Sequence, residues 1–308
     1  MAKPFYKAIS IIGLFLFFSS SVFAQGTDNS DTDNDNPADT INLKGFHLGL
    51  QAGVIFANKY TTNLYNGYGL DVYGNRNTFY NSFLYQQIVN NYGGGNGRTD
   101  QIALALKVNP GQWGFDETCM PINLKYNINL LVGLNTRYCF DNKNAIILNV
   151  NATKLTVNGN FTIYTSATNS NGLQATNVQT FTITGGEQRL MTQLGFQRVL
   201  GDNQKFNFFV EGGIDLTLAK FMKNQAIINN LIIDLTPYYS QPAYGSVRQH
   251  NLLGVGLGAF AGVGFNLALS SKYTLQLLYN PSYDRINIGE APKYTFQSSI
   301  GFRAYYNF

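Results

Sequence analysis

The chain has 308 residues, of which only 12% are charged, 14% are aromatic and 31 are glycine, and its formal net charge is +4. A mean hydropathy of −0.11 excludes a helical membrane protein, which would be far more apolar. Removing Lys3 and Lys7 with the N-terminal segment described next lowers the formal charge from +4 to +2, so nothing supports a nucleic-acid or other polyanion partner.

Residues 1–24 begin with Lys3 and Lys7, continue through the apolar run AISIIGLFLFF and end in SSSVFA, with Val22 and Ala24 at the small-residue positions. That is the layout of a secretory signal peptide, and the apolar run is short for a spanning helix, which needs about 20 residues. No Cys follows the cleavage site, so no lipid anchor is expected there. Residues 25–43 carry Asp28, Asp31, Asp33, Asp35 and Asp39 and no Lys or Arg. From Asp31 the pattern imitates a calcium loop, but Asn36 replaces the turn glycine and Asn42 the bidentate Glu. An acidic, flexible periplasmic linker is expected, without metal or cofactor.

The first strand is FHLGLQAGVIF (46–56), with Phe46, Leu48, Leu50, Ala52, Val54 and Phe56 on one face. Residues 57–121 are read as a long loop holding a short helix within NTFYNSFLYQQIVNNY, and QIALALKVNP alternates like a further strand. An extracellular hairpin is expected, with a ten-stranded barrel as the alternative. The segment 122–140 alternates almost throughout: Ile122, Leu124, Tyr126, Ile128, Leu130, Val132 and Leu134 oppose Asn123, Lys125, Asn127, Asn129, Asn135 and Arg137. Period 2 over nineteen positions predicts one long strand between an apolar and a polar medium.

Further strands are predicted at 144–157, 187–200, 206–221, 252–270, 273–280 and 293–308. Residues 252–270 are nearly long enough for a spanning helix, but Gly254, Gly256, Gly258, Gly262 and Gly264 all fall on even positions. A helix would lose about 1 kcal/mol at each, whereas a strand gathers them on one face. Lipid satisfies no backbone N–H or C=O, so only helices and closed barrels span it. The expected fold is an all-β, transmembrane, antiparallel up-and-down barrel of eight strands, with a soluble secreted β-protein as the competing class. Connections at 141–144, 201–205 and 270–272 are short. Those at 57–121, 158–186, 222–250 and 281–292 are long, which predicts periplasmic turns, extracellular loops and both termini in the periplasm.

Phe302, Ala304, Tyr306 and Phe308 share one face and look like the C-terminal signal by which outer-membrane barrels are recognised for insertion. With GLNTRYCF leading into a tight turn and FVEGG early in the fifth strand, residues 44–308 resemble the PorT-like and OmpA/OmpX-like barrels of Bacteroidota-type outer membranes. The resemblance implies a Gram-negative outer membrane, contact with its lipid and with the barrel-insertion machinery, and roles such as secretion accessory or structural protein. It ends with the barrel, since no peptidoglycan-binding domain follows Phe308.

Parity turns Lys125, Arg137, Arg189, Glu211, Asp215 and Arg303 inward, and strand heights place an Arg level with each acid. A structural salt-bridge plug is expected, and a charged constriction for a solute is the alternative. Catalysis has only His47 and His250 to draw on. Pairing His250 with Ser246 or Ser240 would resemble a lipid A deacylase barrel, although no hydrolase motif surrounds them. Eight strands enclose little more than their own side chains, which leaves the Tyr-, Asn- and Gly-rich loops as working surfaces. The expectation is a non-enzymatic scaffold with a protein partner at its loops or within an outer-membrane complex. A narrow channel for small or apolar solutes is second and the lipid hydrolase third. Cys119 and Cys139 stand at opposite ends of the predicted second strand, too far apart for a disulfide.

Overall fold

Alternation continues well beyond the stretches that announce it. The computed structural model describes residues 44–308 except 72, 74, 169–173, 202, 204, 238–252 and 289–291. Among these, the strands are β1 (Gly45–Phe56), β2 (Trp113–Gly114), β3 (Ile122–Tyr126), β4 (Asn129–Cys139), β5 (Asn144–Thr168), β6 (Gln174–Leu200), β7 (Phe206–Ile228), β8 (Leu231–Asp234), β9 (Leu253–Ala268), β10 (Tyr273–Ile286) and β11 (Tyr294–Asn307). The antiparallel order β1-β4-β5-β6-β7-β9-β10-β11 returns to β1 and closes a ring of eight. β2 and β3 extend the sheet beside β5, and β8 folds back on β7. Ring closure removes the ten-stranded alternative.

The outside of the ring is apolar. β1 presents Phe46, Leu50 and Phe56, β9 presents Leu253, Val255, Leu257 and Val263, and each is exposed. Aromatic residues mark both edges of this belt. At the end with the short turns, Phe46 meets Phe308 with ring centroids 6.0 Å apart, and Phe206, Phe208 and Phe265 form a cluster. At the end with the long loops, Tyr283 stacks on Tyr294 at 5.4 Å, near exposed Phe296 and Phe56. From Phe46 to Phe56 the belt takes eleven residues of β1, matching the roughly 9–11 residues with which a tilted strand crosses a bilayer. An apolar exterior, a polar interior and no sheet edge make this a membrane-spanning barrel.

Above the belt, the polarity of the wall inverts while the strands run on. On β5 the outward series Ile146, Leu148, Val150 and Ala152 gives way to Lys154, Thr156, Asn158, Asn160 and Thr162. The inward series changes in the opposite sense, from Asn149, Asn151 and Thr153 to Leu155, Val157, Phe161 and Ile163. β6 and β7 behave alike, with Ile183 and Phe221 inward beside outward Thr184 and Lys220. The lower half is therefore inside-out, as lipid requires, and the upper half has the apolar core of a water-soluble protein.

This inversion corrects the predicted loops. Most of 158–186 is the paired end of β5 and β6, whose ladder is continuous from Asn144↔Arg198 to Thr168↔Gln174. β7 continues to Ile228 and turns into β8, and β10 continues to Ile286. The segment 57–121 is not a hairpin either. It is a helical cap whose turns Lys59–Tyr65, Phe83–Tyr85 with Gln86–Asn91, and Gln101–Leu106 bury Tyr65, Leu84, Ile88, Ile102 and Leu106 in the upper core. QIALALKVNP begins as a helix because the Asp100 carboxylate caps it, accepting from the Ala103 N–H at 2.8 Å. Left-handed Lys107 (φ 59°) ends that helix.

The predicted strand 122–140 is broken as well. Between Tyr126↔Val157 and Leu131↔Thr153, five residue steps face four on β5, so one residue is extra. Asn129 bridges the defect: its side-chain oxygen accepts from the Thr156 N–H at 3.2 Å, while the Thr156 carbonyl accepts from the Asn127 N–H at 2.9 Å. A bulge flips every side chain beyond it to the other face. Tyr126 therefore points inward, and Lys125 is exposed.

Both thiols are free and buried, Cys119 in the cap and Cys139 at the turn end of β4. Neither should react with maleimide in the folded protein, and both should react on unfolding. A cross-linked 119–139 peptide in non-reducing mass spectrometry would contradict this arrangement.

Candidate functional site

The lumen is where the sequence concentrates its unusual chemistry, because polar side chains there have only one another for partners. Near the turn end, Arg303 is fully buried and grips Glu211 with both terminal nitrogens, Nη1 to Oε2 at 2.7 Å and Nη2 to Oε1 at 2.9 Å. Its Nε donates to Gln51 at 2.9 Å, and Gln51 accepts in turn from Asn135 at 3.1 Å. Gln197 donates to Glu211 at 3.0 Å. Glu211 fits because β9 presents glycine opposite it; a β-carbon on Gly262 would lie 2.6 Å from Glu211 Cγ. Arg137 completes this layer, stacked 4.5 Å from the Tyr305 ring centroid. Below it, His47 is buried against Asn307.

The upper lumen is organised by Arg189. It donates from Nε to Glu187 at 2.6 Å, from Nη1 to Gln297 at 2.9 Å and from Nη2 to Thr61 at 2.9 Å. Tyr65 donates its hydroxyl to the other Glu187 oxygen at 2.9 Å. Thr61 and Tyr65 belong to the cap, so this ion pair fastens the cap to the barrel wall. Gly185 accommodates the Tyr65 ring, which a β-carbon there would strike, and Phe221 stacks on the ring at 5.5 Å.

Asp215 lacks the Arg that strand heights assigned to it. Arg189 pairs with Glu187 instead, and Asp215 is left without a cation among the described residues, with Gln193 opposite it on β6. Asp215 and Asp284 both pair with Gly258, from opposite sides, so two buried carboxylates flank a residue without a side chain. Gln297 donates to Asp284 at 2.8 Å.

Of the six residues expected in the lumen, Arg137, Arg189, Glu211, Asp215 and Arg303 are buried there. Lys125 is outside, for the bulge reason given above. Glu187 and Asp284 escaped sequence reasoning. Glu187 shares the parity of Arg189 and was readable from it, whereas Asp284 lay in a presumed loop and became readable only once β10 was known to reach Ile286. Phe302, Tyr306 and Phe308 are exposed on the belt; Tyr306 and Phe308 contact at 4.9 Å at its turn-end edge, and Phe302 lies opposite Ala52 near its middle. Ser240, Ser246, His250, the acidic 28–39 stretch and the signal segment lie outside the described residues. Among the described residues, no cluster of three or more His, Cys, Asp or Glu suits a metal ion.

Polar networks fill the lumen within the belt and an apolar core fills it above, with the cap seated on that core. Such an interior holds its polar side chains in fixed positions.

Among solved structures, the chain is similar to the outer membrane protein OprG from Pseudomonas aeruginosa, at 11% identity and a TM-score of 0.38, over 88% of this chain and 100% of that one. It is also similar to Neisserial surface protein A, at 9% identity and a TM-score of 0.38, over 86% and 98%. Ail, the attachment invasion locus protein of Yersinia pestis, aligns at 11% identity and a TM-score of 0.32, over 86% and 99%. No family model matches the chain, and no curated protein matches it.

Proposed function

We propose that this is a closed, non-enzymatic barrel of a Gram-negative outer membrane that holds a partner protein at the cell surface, as a secretion or outer-membrane-assembly accessory of the PorT-like kind. The single observation that carries the reading is the occupied interior: buried Arg303–Glu211 and Arg189–Glu187 pairs below an apolar core roofed by the cap. A barrel so filled has little use as a conduit, and its distinctive outlay of chain is above the membrane. β5 and β6 have 25 and 27 residues, more than twice the roughly 9–11 needed to span. Short turns in the periplasm and the β5–β6 hairpin outside agree with the usual orientation of such barrels. The outward face of Phe302, Tyr306 and Phe308 on the last strand is the surface offered to the insertion machinery.

The test is to shorten the hairpin. Tyr164 lies opposite Val178, so a two-residue turn joining them keeps the register and leaves Phe161, Ile163 and Phe181 in the core. Cross-linking in intact cells followed by mass spectrometry should capture a protein partner with the full chain and lose it with the shortened one, while the folded gel band persists. The wild-type barrel should carry no steady salt current in planar bilayers. A steady current would replace the scaffold with the narrow channel.

A further inference from the structure

At the loop-end rim, the start of the cap, the start of β3 and the facing ends of β10 and β11 enclose an open cavity of about 700 Å³. That is within the range of small-molecule sites, about 300–1,000 Å³. Lys59, Arg76 and Lys293 line it, and none of its described lining residues is acidic. Two of the cations are held over rings: the Arg76 guanidinium lies 3.6 Å from the Tyr68 centroid and the Lys293 ammonium 4.0 Å from that of Tyr60. A guanidinium held over a ring face keeps its planar fork of donors for other partners, and such a fork suits phosphate oxygens.

The rest of the lining is carboxamide and aromatic. Asn58 is pinned, donating to the Phe296 carbonyl at 2.9 Å and accepting from the Tyr60 N–H at 2.8 Å, and Asn63 and Asn123 stand nearby on the lining. Carboxamides offer both donors and acceptors to hydroxyl groups. The outer wall is Tyr283, Tyr294 and Phe296, exposed rings of the upper aromatic edge. The cavity therefore opens where lipid ends and water begins.

We propose that this cavity binds a phosphorylated saccharide, its phosphate on the three cations and its hydroxyl groups on the carboxamides. The same chemistry is offered by the headgroup of a phosphorylated glycolipid and by a soluble sugar phosphate. The site is independent of the scaffold reading, since it uses neither the β5–β6 hairpin nor a protein partner.

The full chain, folded into phosphatidylethanolamine nanodiscs, is titrated calorimetrically with glucosamine 6-phosphate and with glucosamine. In parallel, retention of lipid A is measured after reconstitution in nanodiscs containing it. The variant is Arg76→Ala with Lys293→Ala, both exposed side chains, and its folded state is verified by heat-modifiable migration. The wild type should take up one or both phosphorylated probes, with binding at least about tenfold weaker in the variant and for glucosamine, the size of one lost charge-assisted hydrogen bond. Binding of the soluble probe identifies a sugar phosphate, and retention of lipid A alone identifies the glycolipid headgroup. No binding of either probe, or equal binding by wild type and variant, overturns the proposal.

Discussion

Glu211→Gln is expected to lower the unfolding free energy by about 3–5 kcal/mol, because it strands a charged group in a dry interior. Arg303 and Glu211 have side chains with 0% exposure, so solvent screens little of the loss. The amide returns one acceptor where two carboxylate oxygens served Arg303, and its NH2 group turns a donor toward a donor. Urea titration of the refolded barrel, read by heat-modifiable migration, measures the change. Asp215→Asn provides the control with the opposite sign. Its carboxylate has no cation partner among the described residues and shares the Gly258 level with Asp284, so neutralising it should raise the midpoint. If both variants lose stability alike, the lumen does not discriminate between a paired and an unpaired acid, and the plug fails.

The second large effect lies on the outer face. Leu50 is 66% exposed and sits opposite Leu134 on one side and Ala304 on the other, close to halfway between Phe46 and Phe56. An arginine there faces hydrocarbon near the midplane and should cost about 2–4 kcal/mol. Thr162→Arg makes the same chemical change on the outward face of β5, ten positions past Ala152, where the face is polar. It should stay within about 0.5 kcal/mol of wild type, as other surface changes do. Refolding yield into dimyristoylphosphatidylcholine vesicles separates the two. Comparable losses at both positions would mean that no membrane boundary lies between them.

The same boundary decided what could be read from the sequence. β1, β4 and β9 were legible because each remains within the belt, where one face is continuously apolar and the other polar or glycine. The upper parts of β5, β6, β7 and β10 were not, although they too alternate. Past Ala152 the apolar positions change from even to odd with no change in pairing, and a reader following one apolar face sees the strand stop. Lys125 went astray for a related reason: one extra residue before Leu131, and a further register shift between Ile122 and Lys125, reversed which face the alternation described. In the lumen, parity could identify Arg303 and Glu211 as neighbours because β7 begins and β11 ends at the short-turn end, from which heights were counted. It could not choose between Asp215 and Glu187 for Arg189, since that choice depends on side-chain reach and on the cap hydroxyls of Thr61 and Tyr65.

A wall that reverses polarity at one height also acts as a mechanical stop. Pressing the barrel inward would drive Lys154 and Lys220 toward hydrocarbon, at an energy that climbs with depth to the few kcal/mol per cation seen at the midplane. Displacing it the other way would expose Leu190, Leu218 and the rings of the upper edge to water, at about 25 cal/mol for each Å² uncovered. Both restoring forces rise within a residue or two of the resting position, and the 25- and 27-residue strands of the hairpin are hydrogen-bonded down to that level. A tug on the hairpin is then borne by the bilayer as a whole.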